Sequence, residues 1–277
     1  MSGLSSALGS LAAMLVLGAP PALPVDLEKA WQSRGDPKSV PAGVAAHEAA
    51  AKAPEATVTN YERLVRLRGF EADTHPEKSD ARAEVYQRCL AEGLQGLSRF
   101  GASDGTALAL PDGEALHDAR GKIGKAAAAL FYETTSCYGL TIPSLPLLSR
   151  AGAAKRFRRL LERAVELDPS VKEGGPHRSL SFFLLTAPGF IGGDDEAARS
   201  HAEAALKINP RYADNVHLHA LVLYCPSRKT KAECIKGLRE AAALPEDAVP
   251  ELVPEQRLFQ KKARQELRAR GDEGATP

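Results

Sequence analysis

Residues 153–210 read AAKRFRRLLERAVELDPSVKEGGPHRSLSFFLLTAPGFIGGDDEAARSHAEAALKINP, and this stretch decides the fold. Two phrases in it have one form: residues 162–169, ERAVELDP, and residues 203–210, EAALKINP. Each reads as the end of an amphipathic helix. A small residue, Ala164 or Ala205, sits where a neighbouring helix must come close. An apolar pair follows, then a polar residue and a proline that stops the helix. Residues 179–185 form a second helical segment between the two phrases, so the unit is helix, turn, helix. A recurring unit of this kind cannot bury its apolar face alone and predicts a stack in which each unit packs on its neighbours.

The rest of the chain extends the pattern. From Pro210 to Pro245 the spacing is close to the ~34-residue period of tetratricopeptide repeats. The spacing from Pro169 to Pro210 is longer because residues 186–193 are inserted between two helices. Further helices are expected over 27–33, 43–53, 58–70, 81–97, 150–167, 194–208, 212–224 and 231–244, and one long helix over 114–138. Val85, Cys89, Leu90 and Leu94 line one face at helical spacing, with Gly93 and Gly96 placed for a close approach. Residues 101–113, rich in Gly, Asp and Ser, read as a loop. A charged helix over 255–269 carries Leu258, Phe259, Ala263 and Leu267 to cover the open end. The expected fold is all-α, a tetratricopeptide-like helix-hairpin array (an α-solenoid) over residues 26–269, with a leader over 1–25 and a disordered tail over 270–277.

Composition narrows the function classes. The chain has 277 residues, 44% hydrophobic and 26% charged, which suits a folded soluble domain rather than a disordered segment. A formal net charge of +1 gives no global field for nucleic acid, so no nucleic-acid partner is expected. Residues 11–17, LAAMLVL, form an apolar run followed by Gly18, Ala19 and two prolines. That is the form of a secretory leader, too short and too proline-interrupted for a membrane span, although no Lys or Arg precedes it. No cysteine follows the run, so a lipid anchor is not expected there. Cys89, Cys137, Cys225 and Cys234 make an even count, which suits an oxidising compartment. A short turn separates Cys225 from Cys234 and allows a disulfide between them. A Cys89–Cys137 pair is a second option, and four buried thiols are the alternative to both.

On the residues of 160–169, Gly174-Gly175, Gly192-Gly193-Asp194 and 197–206, the chain resembles the TRAP transporter T-component (TatT) family, most closely over 125–244. In that family a Gly-Gly-Asp precedes the second repeat helix. Here the glycines suit a tight turn and Asp194 suits the helix N-terminus. The resemblance implies a helical-repeat oligomer of the periplasm or cell envelope. It implies a non-enzymatic accessory of tripartite ATP-independent transport, paired with a periplasmic solute-binding protein and enclosing a path for a small hydrophobic ligand. Without the leader, the location would be cytoplasmic. The alternative is a generic tetratricopeptide scaffold for protein–protein interaction, unrelated to transport.

The motifs of chemistry are missing. His47-Glu48 opens like a zinc-protease motif, but Ala51 stands where the second histidine belongs. His217 and His219 point to different helix faces, and a metal site would need His177 and His201 to join them in space. No cofactor, metal or catalytic residue is expected. Residues 155–159, KRFRR, form a basic run that is either a solvated face or a surface for an anionic partner. Phe131, Tyr132, Tyr138, Phe182, Phe183 and Phe190 are the ligand or partner candidates, weighed against plain packing between helices. Phe190 stands apart because it lies in the insertion.

Overall fold

The computed structural model describes residues 25–103 and 113–272. The leader expected over 1–25 lies outside them but for Val25, as do most of the loop over 101–113 and the last five residues of the tail. The helices are α1 (Val25–Gln32), α2 (Val40–Lys52), α3 (Val58–Asp73), α4 (Asp80–Phe100), α5 (Gly113–Ala119), α6 (Ala128–Thr141), α7 (Leu147–Leu167), α8 (Val171–Thr186), α9 (Asp195–Ile208), α10 (Ala213–Leu223), α11 (Lys231–Ala243) and α12 (Val253–Ala269). Among the described residues no strand forms, and the fold is all-α.

From α6 onward each helix packs on its successor, as do α1 to α4 among themselves, with α4 passing directly to α6. Alternate helices also meet: α3 packs on α6, α6 on α8, α8 on α10, and α10 on α12. The chain therefore builds an inner row (α3, α6, α8, α10, α12) flanked by α2, α4, α7, α9 and α11. The apolar stripes meet between the rows. Leu64, Leu67, Leu97, Leu130, Phe131, Leu160, Leu161 and Leu184 are among the largest fully buried side chains, each contributing about 2 kcal/mol of burial. Ala164 and Ala205 are both buried. Helix α4 comes close to α3 and α6 at its two interior glycines. A Cβ on Gly96 would stand 2.6 Å from Tyr61 Cγ, and one on Gly93 2.4 Å from Thr134 Oγ1.

The single helix expected over 114–138 is instead two helices, α5 and α6, separated by two short 3-10 turns. The alanines of 126–129 favour helix, but tertiary pairing prevails just before them. Ile123 bridges Ala102 in antiparallel fashion, with Ser103 N donating to Lys122 O at 2.8 Å and Gly124 N to Gly101 O at 3.0 Å. A second departure lies at the start of α8. Lys172, Glu173 and Gly174 have φ of 49°, 56° and 88°. The regular helix begins only after this left-handed turn, with Pro176 in its first turn, where a missing N–H costs nothing.

Two disulfides cross-link the described chain, Cys89–Cys137 and Cys225–Cys234, leaving no free cysteine there. The first joins α4 to α6. The second closes the turn between α10 and α11. Among the described residues no helix is long and apolar enough to cross a membrane.

Candidate functional site

The insertion 186–193 is folded back onto α7. Proline at 188 starts a 3-10 turn, Gly189–Ile191, in which Ile191 N and Gly193 N both donate to Pro188 O. Gly192 has φ of 107°, in the left-handed region glycine adopts without steric cost. A Cβ on Gly193 would lie 1.8 Å from Ala187 O, so the loop closes on itself only with glycine there. Asp194 then caps α9, its carboxylate accepting from Glu196 N and Ala197 N at 3.0 Å. From α7, Arg158 donates to Gly192 O at 3.1 Å and to Glu162 Oε1 at 2.8 Å, clamping the loop to the helix.

Loop and helix together enclose an open depression of about 360 Å³ lined by Lys155, Arg158, Arg159, Glu162 and residues 189–192. Its charge is one-sided. Lys155 and Arg159 are exposed and, among the described residues, in no ion pair, whereas Arg158 is paired with Glu162. Phe190 stands at the rim with 77% of its surface exposed, and Phe182 is 57% exposed on α8. Leu147 and Leu148, at the start of α7, are exposed as well. The basic run read in the sequence is thus split. Phe157 turns inward to meet Phe183 edge to face at 5.8 Å, while Lys155, Arg158 and Arg159 line the depression.

The six aromatic candidates do not come together. Phe131, Tyr132 and Tyr138 are buried in the main core. There Tyr132 shares a hydrogen bond with Ser179 at 2.9 Å. Phe183 is half-buried beneath Phe157. Phe190 alone of the six lines the depression.

Two arrangements are invisible in the local sequence. The inner row surrounds a buried charge network that joins the two ends of the fold. Arg34, 1% exposed, makes two hydrogen bonds to Glu255, and Arg66 donates to the same carboxylate at 2.7 Å. Arg66 also faces Glu133, which Lys172 reaches at 3.2 Å. The guanidiniums of Arg34, Arg63 and Arg66 gather over the Trp31 ring, 4.0 to 4.9 Å from its centroid. Burial alone would raise the Glu255 pKa, but Arg66 and Arg34 outweigh it and hold the carboxyl below its usual range. Glu62, where burial wins over Arg66, is pushed up.

The other arrangement secures the left-handed turn of α8. Arg178 donates to Lys172 O at 2.8 Å and to Glu173 O at 2.7 Å, and pairs with Asp214 at 2.7 Å. Asn215 donates to the carbonyls of Glu173, Ala205 and Asn209. The histidines separate into distinct settings. His177 and His201 meet across α8 and α9, while His217 faces charged groups of α12 and His219 faces Glu203 and Glu240. Among the described residues no group of three or more His, Cys, Asp or Glu is arranged to hold a metal.

The fold and site define an all-α protein of serially packed helices that presents a basic, aromatic-rimmed surface. The model of the TRAP transporter T-component family matches residues 66–273, which is more than half of the chain, and the chain belongs to that family. No curated protein matches it.

Proposed function

We propose that this chain is an exported, non-enzymatic accessory of a tripartite ATP-independent transport system. In this reading residues 26–269 form one tetratricopeptide-like array, supported by the alternation of inner and outer helices. The array binds a periplasmic solute-binding protein through the face made by α7 and the insertion. The observation that carries it is Phe190, a large aromatic held out to solvent on a clamped loop beside two exposed cations, Lys155 and Arg159. A rigid aromatic anchor with basic neighbours suits a partner surface that pairs an apolar pocket with acidic groups. The two disulfides and the apolar run at residues 11–17 support an oxidising, extracytoplasmic location.

The test is binding of the purified chain to the solute-binding protein of the same transport system, by biolayer interferometry, with and without transport substrate. Phe190→Ala should weaken binding at least tenfold at unchanged Tm, and Lys155→Glu with Arg159→Glu should slow association. Absence of binding under both conditions would remove the transport reading. A second reading is a scaffold, unrelated to transport, that takes a peptide along its inner row at the partly exposed edge of the charge network, where Glu62 and Lys172 reach solvent. It predicts that charge-matched peptides bind and that Phe190→Ala has no effect.

A further inference from the structure

We infer that His177 and His201 form a two-histidine site for a borderline divalent transition metal of the class of Zn2+, Ni2+ and Cu2+, at the seam of α8 and α9 beside the depression. The Nδ1 atoms of the two rings face each other at 2.8 Å, with centroids 5.1 Å apart and planes tilted by 36°. Their backbones are fixed on either side of the pair. Ser181 donates to Ala198 O at 2.7 Å, Asp194 N donates to Leu184 O at 2.9 Å, and Gly174 packs on Ala205. The two Nδ1 atoms therefore meet at one place on a fixed helix pair.

Without a metal, one ring must donate the Nδ1 proton and the other accept it. With a metal, the donor ring moves its proton to Nε2 and both Nδ1 lone pairs bind the ion, so no proton need be released. Tetrahedral Zn–N bonds of about 2.0–2.1 Å separate two nitrogens by roughly 3.3 Å. The rings must part by about half an ångström and turn so that both lone pairs aim at the ion. Burial holds both imidazoles below their ordinary value, His177 down to about 4, and for His201 it outweighs the opposing pull of Glu162, so the lone pairs are free to ligate. Imidazole selects this metal class over Mg2+ and Ca2+, which take oxygen.

The rings are half-buried, which leaves an entry path and open coordination positions. The charged groups of α7 that act on His201 are Glu162 and Arg158, which are paired with each other and line the depression. Because the protein supplies two ligands, water or an outside donor completes the shell.

The test uses the full, tag-free chain, stripped with chelator and dialysed. ZnCl2 and NiCl2 are titrated by calorimetry and thermal melting, with MgCl2 as the control ion. The expected result is one site per chain, a raised Tm, and no response to Mg2+. His177→Gln and His201→Gln should each weaken affinity at least tenfold, while His219→Gln binds as wild type. Cu2+ electron paramagnetic resonance of the wild-type chain should show coupling to two nitrogens, a readout that does not depend on any variant folding. A wild-type chain that binds neither metal at millimolar concentration, or one whose binding survives both substitutions, overturns the inference.

Discussion

Glu255 accepts hydrogen bonds from two guanidiniums, so its removal strands the buried Arg34 without its counter-charge, while Arg66 keeps Glu133 and Glu62. Breaking a buried pair by deleting one partner costs about 3–5 kcal/mol, because an uncompensated charge stays inside. Glu255→Ala should lose that much in urea unfolding, and Glu255→Gln somewhat less because it keeps one acceptor. An effect under 1 kcal/mol would mean that water reaches the network. None of this was legible in the sequence. Arg34 and Glu255 lie 221 residues apart, and an Arg in a turn and a Glu in the first turn of a charged helix look like any solvated groups. Gly193 was legible, because a Gly-Gly-Asp before a helix announces a tight turn. Gly193→Ala would push a Cβ into Ala187 O and should cost about 1–3 kcal/mol as overpacking. A melting curve settles it: an unchanged Tm would show that the insertion yields freely.

At the level of elements, the helices whose prolines and caps are local were readable from the chain, and α9, α10 and α11 fall within a residue or so of their expected ends. The break between α5 and α6 was not. Its cause is a long-range bridge from Ile123 to Ala102, which no window of alanines can report. The left-handed start of α8 was half legible. Gly174, Gly175 and Pro176 mark a turn, but the strain falls partly on Lys172 and Glu173, and only Arg178 and Asn215, further along the chain, explain why it holds. Left-handed non-glycine residues cost of order 1 kcal/mol each and persist only where the surroundings fix them. The turn joining α10 to α11 is tied by Cys225–Cys234, at a sequence separation of 9. Loop closure of that length stabilises by about 3 kcal/mol in the chain-entropy account. Cys225→Ser with Cys234→Ser should therefore lower stability by roughly that amount. Hydrogen exchange should quicken first in α10 and α11, and exchange that quickens uniformly over the molecule would show that the bridge supports the whole stack instead.

Across the whole molecule, the buried and half-buried histidines couple the fold to pH. Each of His47, His177, His201 and His217 is held below the ordinary imidazole value, in every case chiefly by burial. The groups around them do not reverse this. His177 faces His201, His201 faces Glu162 and Arg158, His47 faces Arg63 and Glu28, and His217 faces Asp214, Glu266, Lys262 and Arg270. The unfolded chain binds protons on these rings near pH 6.5, whereas the folded chain resists them; for His177 the folded value is about 4. Between those values the unfolded state carries more protons, so stability rises with pH and is lost on acidification from 6.5 towards 4. Glu255, held low by its arginines, extends the loss in the same direction once pH falls below the ordinary carboxylate value. Tm measured from pH 7.5 to 4 should therefore fall steadily, beginning above the range where carboxylates titrate. His177→Gln with His201→Gln should flatten the upper part of that fall and leave the lower part, which belongs to the carboxylates, in place. A wild-type Tm that stays level down to pH 5 would show that the rings take up protons without opening the α8–α9 seam.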